Sequence, residues 1–226
     1  MNKKTYILSF VSIALLCGVV WYGSHNEGSI VNQAASILGD NQEKVSGSAI
    51  LSEEMPGDFI LGNPEAKVTM IEYSSHFCGH CANFHKDTLP LLVDKYIKTG
   101  QVKLISRYVS PPEIVMSIIC AQEEDKFSEM SERFFEKVQE IDFEDVDWKI
   151  KFANEIKPTA FQVISNQENF NECYDSGRYF DIAEEWYLQV AEAQMGTPTF
   201  FINDQTIVGN QPMIVFEEAI ERALEQ

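Results

Sequence analysis

Two cysteines separated by two residues, in Cys78-Gly79-His80-Cys81, are the side chains in this chain best suited to chemistry. They follow an apolar stretch predicted as a strand and open a predicted helix. The N-terminus of a helix offers free N–H groups and a partial positive charge, which stabilise the reactive thiolate form of Cys78. Cys81, one turn further on, can displace whatever Cys78 captures. The spacing therefore predicts a redox dithiol that passes on or accepts a disulfide.

Two other chemistries use the same spacing. A structural zinc site normally needs a second close pair of Cys or His ligands, whereas Cys120 and Cys173 are single and far apart. A c-type haem needs His directly after the second cysteine, where this chain has Ala82. Inert thiols are the third alternative. We favour the redox dithiol over the metal site and over inert thiols.

The N-terminus has the pattern of an export signal or a membrane anchor. Lys3 and Lys4 precede residues 6–22, which are uncharged and mostly apolar. That stretch, at about 17 residues, lies between a signal core and a full membrane span. Bulky Trp21 and Tyr22 occupy the place of a cleavage site, so an uncleaved anchor is favoured over a cleaved signal. Both outcomes export the rest of the chain to a compartment where disulfides persist.

The charge balance excludes one class of partner. The chain has 35 acidic and 17 basic residues and a formal net charge of −18. Such a chain presents no basic face for nucleic acid, and it is not expected to adhere to anionic lipid. Its hydrophobic content of 45% is ordinary for a protein with a packed core.

The order of predicted elements indicates an α/β protein in which a helical segment interrupts a smaller fold. A strand at 67–73, a helix at 79–99 with a kink expected at Pro90, and a strand at 102–109 form a βαβ unit. Beyond it lie short helical stretches with no convincing strand, then a longer helix, a hairpin and a last helix. The predicted ranges are 114–121, 127–138, 146–153, 159–164 and 167–174 for the short helices, 179–194 for the longer one, and 199–203 with 206–208 for the hairpin.

This is the thioredoxin order with a helical insertion. We expect a signal or anchor at 1–23, a polar linker at 24–50, and the two halves of the thioredoxin fold on either side of the insertion. The halves are 51–111 and 178–226, and the insertion is 112–177. The linker could instead form a short amphipathic helix for self-association, since apolar residues recur in it at helical spacing.

Three segments resemble the DsbA-like branch of the thioredoxin superfamily, the bacterial thiol–disulfide oxidoreductases. They are residues 60–68 (ILGNPEAKV), residues 71–73 (IEY) leading to Phe77 and the dithiol, and residues 196–201 (GTPTFF). The resemblance runs from about Gly57 to the C-terminus. It implies a periplasmic protein, or one on the outer face of the cytoplasmic membrane, that introduces disulfides into secreted and envelope proteins. A DsbB-like membrane protein would reoxidise it; we expect no cofactor and no bound metal.

The resemblance also implies roles for single residues. Pro198 would be cis and face the dithiol, so that the backbone of Thr197 could pair with an extended substrate; a trans proline opening a strand is the alternative. His80 would stabilise the Cys78 thiolate. The Gly-His dipeptide is similar to that of protein disulfide isomerase, which leaves an isomerase or reductase as an alternative function.

Glu72 matches a buried acid of that family, which relays a proton to the second cysteine. An exposed edge position is the alternative for Glu72. Arg107 on the next strand is its expected partner, with an ordinary surface charge as the alternative.

The resemblance further implies a structural disulfide between Cys120 and Cys173. Closing that loop would stabilise the fold by roughly 4 kcal/mol in the chain-entropy model. Two buried free thiols are the alternative.

His76 and His85 flank the dithiol, which raises a function of another class, a module that delivers copper or zinc. We favour His85 on an exposed helix face and His76 in a turn. A redox-inactive adaptor that binds unfolded chains is the last rival.

Overall fold

Five strands form one mixed sheet in this computed structural model, which describes residues 51–55 and 58–226. The predicted signal or anchor at 1–23 and the linker at 24–50 lie outside the described residues. The strands are β1 (Ile60–Leu61), β2 (Val68–Ser74), β3 (Val102–Tyr108), β4 (Thr199–Ile202) and β5 (Gln205–Val208). Their order is β1-β3-β2-β4-β5; β2 and β3 are parallel, and the other neighbours are antiparallel. The strand that leads to the dithiol is therefore the central one.

A long helix follows β2 and begins at the dithiol. Its α-helical stretches, Gly79–Asn83 and Leu89–Leu92, alternate with π-helical stretches, Phe84–Thr88 and Val93–Ile97, and we call the four together α1. Pro90 has no N–H to donate and its ring crowds the preceding turn. The chain accommodates Pro90 next to a wider turn, closed by a hydrogen bond from the Leu89 N–H to the Phe84 carbonyl.

The remaining helices form the insertion and complete the second half of the fold. They are α2 (Pro112–Ala121), α3 (Phe127–Gln139), α4 (Trp148–Ala160), α5 (Gln167–Ser176), α6 (Phe180–Glu192) and α7 (Met213–Glu225), with a short 3₁₀ turn at Gln122–Glu124. Among the described residues, no helix is both long and apolar enough to cross a bilayer.

Two details of the predicted elements are wrong. The stretches 146–153 and 159–164, predicted as separate helices, overlap one helix, α4, which continues through Pro158 and ends two residues later. Strand β1 was not predicted, since two residues cannot show the alternation that marks a strand.

The sheet is buried on both faces, and the dithiol lies where it meets the helical insertion. One face packs against α1 and α7, the other against α6, and a third core fills the insertion. Representative side chains are Met70, Phe84 and Phe216 for the first core, Ile71, Tyr73 and Val190 for the second, and Cys81, Phe134 and Trp186 for the third. Cys81 belongs to the core of the insertion, so the insertion covers the inner thiol.

Cys120 and Cys173 form a disulfide that joins α2 to α5. Their Cα atoms are 5.8 Å apart, the two residues are 53 positions apart in the chain, and both are buried. The bridge ties together two helices of the insertion that covers Cys81.

Removing this bridge is expected to destabilise the fold strongly. In the variant Cys120→Ala/Cys173→Ala the unfolded chain regains the freedom that the loop removes, so the free energy of unfolding should fall by about 2–4 kcal/mol. That loss corresponds to a Tm lower by about 4–16 °C. Thermal and urea unfolding, with Cys78 and Cys81 kept reduced in both proteins, measure it. A variant that unfolds with the wild-type midpoint would show that the bridge adds no stability.

Candidate active site

Cys78 lies directly before the first residue of α1. Its backbone is extended and its carbonyl accepts the first intrahelical hydrogen bond, from the Ala82 N–H at 3.1 Å. The Cys78 thiol is partly exposed and donates to the Thr197 carbonyl, with sulfur and oxygen 3.2 Å apart. Cys81, one turn further along the helix, is completely buried, and the two thiols are not bonded to each other in this structure.

The environment of Cys78 favours its thiolate. Partial burial raises the pKa of the Cys78 thiol, but hydrogen bonds outweigh that effect and lower the pKa below its ordinary value. They come from the Cys81 N–H, the Thr197 side chain, the Cys81 thiol and the His80 N–H. Two of these groups are orphan N–H groups of the first helical turn.

Cys81 has the opposite environment. Burial raises its pKa to about 12, and the negative charges of the Cys78 thiolate and Glu72 act in the same direction. Hydrogen bonds from the Ser74 side chain and from the Ser75 N–H, 3.4 Å from the sulfur, only partly offset the burial. The pair is thus asymmetric, with a reactive outer thiol and a protonated inner one.

Alkylation should reveal this asymmetry directly. In the reduced protein at neutral pH, iodoacetamide should modify Cys78 and spare Cys81, because only Cys78 is partly exposed and has a lowered pKa. The Cys78 reaction should gain speed as the pH rises through its folded pKa, at a lower pH than in the urea-unfolded chain. Mass spectrometry of the labelled peptides measures both sites. Equal labelling of the two cysteines would contradict this assignment. So would a labelling rate of Cys78 that depends on pH in the folded protein as it does in the unfolded chain.

The peptide bond between Thr197 and Pro198 is cis. Pro198 precedes β4, and its carbonyl accepts a hydrogen bond from the Gly209 N–H at 2.8 Å, which ties the loop to the end of β5. The Thr199 hydroxyl donates to the Gly196 carbonyl at 2.7 Å. These bonds hold the backbone of Thr197 against the Cys78 sulfur.

Glu72 is completely buried in β2, so an exposed edge position is wrong. Its Oε1 lies 2.8 Å from Nε2 of His85, and its Oε2 accepts from the Ser106 hydroxyl at 3.5 Å. The His85 side chain is only 7% exposed, so its predicted position on an open helix face is also wrong. The acid behind the dithiol is therefore paired with a histidine of α1.

Arg107 is not the partner of Glu72, and it is not a surface charge. Its side chain is fully buried and donates to both carboxylate oxygens of Asp58, at 2.9 and 2.6 Å. It also donates to the Tyr73 hydroxyl and to the Glu53 carbonyl, each at 2.5 Å. In the parallel pairing of β2 with β3, Arg107 lies beside Tyr73, whereas Glu72 lies beside Ser106. Neighbouring residues of a strand face opposite sides of the sheet, so Arg107 and Glu72 point away from each other.

His76 lies in the turn before the dithiol and is buried. Its ring nitrogens bond the Ser110 hydroxyl at 2.8 Å and the Ser131 hydroxyl at 3.1 Å. Burial, and then the neighbouring His85, lower the pKa of His76 well below its ordinary value, so the ring is neutral. Within the part of the chain that the structure describes, no three His, Cys, Asp or Glu side chains converge in a metal-binding group.

His80 is exposed in the first turn of α1. The group of His80 that hydrogen-bonds the Cys78 sulfur is its backbone N–H.

Ser74 was missed by the sequence reasoning, although a signal for it exists. It follows Glu72 by two positions in a mostly apolar strand, and that spacing puts both polar side chains on one face.

A cluster of aromatic rings forms around Phe77, the residue before the outer thiol. Phe77 contacts three rings of the α3–α4 connection and α4, namely Phe143, Trp148 and Phe152, with ring centroids 5.7–6.4 Å apart. Phe143 is 53% exposed, so part of this ring cluster faces solvent. We call Phe77, Phe143 and Trp148 the aromatic patch.

Comparison with known proteins identifies similar sequences and folds. A family model described as thioredoxin matches residues 54–222. A putative protein-disulfide oxidoreductase of Rickettsia typhi is 26% identical over 213 residues, covering 89% of this chain and 75% of the relative. Another, of Rickettsia felis, is 27% identical over 177 residues, covering 75% of this chain and 61% of the relative. Disulfide bond formation protein D of Bacillus subtilis is 24% identical, covering 74% of this chain and 78% of that protein. The chain thus spans only 61% of the length of some curated relatives that it matches.

Solved structures match over most of their length. Alpha-DsbA1 of Wolbachia pipientis has a TM-score of 0.63 at 23% identity, covering 80% of this chain and 96% of that one. Oxidised BdbD of Bacillus subtilis has a TM-score of 0.64 at 22% identity, covering 77% of this chain and 97% of that one. These matches confirm the predicted α/β thioredoxin fold with inserted helices and the resemblance to DsbA-like proteins.

Proposed function

Because this chain belongs to the thioredoxin family, we propose that it is a protein-disulfide oxidoreductase acting through Cys78 and Cys81. One observation carries the proposal. The partly exposed Cys78 sulfur, with its lowered pKa, lies 3.2 Å from the carbonyl of Thr197 before a cis proline, and a protonated Cys81 lies behind it. The relatives named as protein-disulfide oxidoreductases support the same activity.

The exchange proceeds in two displacements. A substrate thiolate attacks Cys78 of the oxidised pair, forms a mixed disulfide with it, and expels Cys81, which takes up a proton. A second substrate thiolate attacks the substrate sulfur of that mixed disulfide. Cys78 then leaves as a thiolate, which the N–H groups of the first helical turn stabilise. The substrate gains one disulfide and the enzyme is left as a dithiol.

Substrate chains are held by backbone and apolar contacts. An extended segment would add alongside Thr197, whose backbone faces the sulfur, without regard to its sequence. The aromatic patch would hold apolar side chains that an unfolded protein exposes. His80, exposed in the first turn of the helix that Cys78 precedes, would place its imidazole near the thiolate.

The setting of the reaction belongs to the same proposal. Export by residues 1–23, followed by a linker at 24–50 and an insertion at 112–177, is proposed from the sequence pattern. Reoxidation by a DsbB-like membrane protein is proposed from the resemblance to DsbA-like proteins. The periplasm, or the outer face of the membrane, would then be the site of action.

Oxidation of an unfolded protein tests the activity. Oxidised enzyme mixed with reduced, unfolded ribonuclease A should introduce disulfides faster than a glutathione buffer alone, and the equilibrium of Cys78–Cys81 with glutathione should give the reduction potential. Gly79 and His80 make isomerase activity the second candidate, which rescue of scrambled ribonuclease A would reveal. No exchange in either assay would overturn the proposed function.

A further inference from the structure

A groove of about 470 Å³ lies between α6 and the connection that joins β3 to α2. Phe180, Glu184 and Tyr187 line it from α6, where their spacing puts them on one face of the helix. Phe180 is 44% exposed and Tyr187 is 57% exposed, so the groove presents apolar surface to solvent. Its opposite wall is mostly apolar and consists chiefly of Phe77, Val109, Pro111 and Pro112. Large apolar side chains exposed in a concave surface are typical of a site that binds another molecule.

This groove includes the turn that carries the reactive cysteine. Ser75 and Phe77 both line it; the Cys78 N–H donates to the Ser75 carbonyl at 3.0 Å, and Phe77 directly precedes Cys78. Phe77 is also a member of the aromatic patch, so the groove and the patch are continuous beside the dithiol. Each residue of an extended chain spans about 3.3 Å, so a substrate cysteine at Cys78 brings its neighbours of the next few positions to this groove.

The groove carries an unpaired negative charge. Glu184 is the only charged side chain that lines it, and none of the described residues forms an ion pair with Glu184. Arg178, the nearest arginine in the sequence, is paired with Glu123 instead. A purely apolar partner that covered Glu184 would take water from this carboxylate without replacing it, which is unfavourable. A partner that supplies a cation avoids that loss, and an acidic partner is repelled.

Unpaired acids also lie on the other surface that Phe77 contacts. The connection between α3 and α4, whose Phe143 ring packs against Phe77, contains five acidic residues. Glu140 and Asp145 form ion pairs with basic side chains, whereas the other three form none with any residue that the structure describes. Those three are Asp142, Glu144 and Asp147. Both surfaces that meet at Phe77 therefore attract a cation next to the substrate cysteine and repel an anion.

We propose that this groove selects substrate segments in which an apolar residue and a Lys or Arg lie within a few positions of the reacting cysteine. The inference rests on the proposed function and names the class of segment that the site prefers. The apolar side chain packs against Phe180 and Tyr187, and the cation lies at the carboxylate of Glu184. The backbone contact at Thr197 does not depend on the substrate sequence, so the groove supplies the selectivity.

Oxidation of short reduced peptides by the oxidised full-length enzyme tests this preference. Each peptide has two cysteines and one pair, Leu-Lys or Leu-Glu, beside the first cysteine, before it in one series and after it in a second. At low salt the second-order rate should be about threefold or more higher for the Leu-Lys peptide in at least one series. High salt should reduce the difference, because it screens an exposed ion pair. Dividing each rate by the rate of the same peptide with uncharged hydroxyethyl disulfide removes the effect of the peptide's own charges on its thiols.

Variants of the groove assign the preference to its residues. Glu184→Gln should lower the ratio of the Leu-Lys rate to the Leu-Glu rate, and Glu184→Lys should bring that ratio to one or below. Tyr187→Ser should slow the Leu-Lys peptide to the rate of a Ser-Lys peptide, because the apolar contact is lost. The matched control Glu192→Gln removes the same charge from α6 outside the groove and should keep the wild-type ratio.

The outcomes separate this selectivity from the function. If the wild-type protein oxidises the peptides but shows equal rates for Leu-Lys and Leu-Glu in both series, the inference is wrong. It is also wrong if Glu184→Lys keeps the wild-type ratio, or if Glu192→Gln lowers the ratio as much as Glu184→Gln does. A dimer of the full-length protein that Tyr187→Ser dissociates would give the groove to a second copy and overturn the inference as well. Circular dichroism establishes that each variant is folded. A wild-type protein that oxidises no peptide would instead overturn the proposed function.

Discussion

Replacing Cys78 by serine should abolish disulfide exchange while the fold survives. Cys78 is partly exposed at the start of α1, so the loss of its sulfur leaves no void in the core. The serine hydroxyl is far less acidic than the thiol and forms no disulfide, so insulin reduction and ribonuclease oxidation should both fall to the rate of the buffer. Both activities are measured against wild type at equal concentration of folded protein.

Cys81→Ser is the matched control for this prediction. It keeps the attacking thiolate but removes the resolving thiol, so the protein should accumulate a mixed disulfide with substrate at Cys78, detectable by mass spectrometry. Wild-type turnover in Cys78→Ser, or a trapped adduct on a different cysteine, would remove Cys78 from the mechanism.

Arg107→Leu should destabilise the fold far more than the loss of an exposed charge does. It leaves the Asp58 carboxylate, only 3% exposed, without its cation, and it removes the donor to the Tyr73 hydroxyl. Breaking a buried pair in this way costs about 3–5 kcal/mol, because the remaining charge stays buried and uncompensated. Urea unfolding should show that loss, with a Tm lower by about 6–20 °C.

Two controls make this prediction specific. Lys98→Leu removes a cation from the pair with Asp94, whose side chains are 68% and 69% exposed, and should change stability by less than about 1 kcal/mol. Arg107→Leu/Asp58→Leu should recover part of the loss, since no unpaired carboxylate is left buried. Disulfide exchange per folded molecule should stay normal, because Arg107 faces away from Glu72. A loss of less than about 1 kcal/mol in Arg107→Leu would contradict the buried pair as a source of stability.

Much of the site could be predicted because its signals are local. The two cysteines are about one helical turn apart, and the strand before them and the helix after them are adjacent in the chain. Over such short distances the periodicity of the backbone dictates where each side chain points. The alternation along β2 also indicates which side chains share a face. It puts Ser74 on the face of Glu72, toward α1, and it puts Tyr73 on the other face.

The partners of the buried charges depend on contacts between distant segments. Whether Arg107 faces Glu72 or Tyr73 depends on the register of β3 against β2, and a shift by one residue would reverse the answer. The sequence predicted an exposed His85 because the residue pattern along α1 does not indicate that α3 packs against this side of the helix. Its burial follows from the packing of the insertion against α1, where the ring centroid of Phe135 lies 4.4 Å from that of His85.

The sequence by itself determined the reactive pair, the order of the longer strands and helices around it and the likeness to DsbA-like proteins, since each depends on residue type and near spacing. The tertiary structure alone decided which charges are buried together: Glu72 with His85, and Arg107 with Asp58. The physical reason is that burying a charge is costly without a partner, and the partner comes from whichever segment the folded chain brings within hydrogen-bond distance.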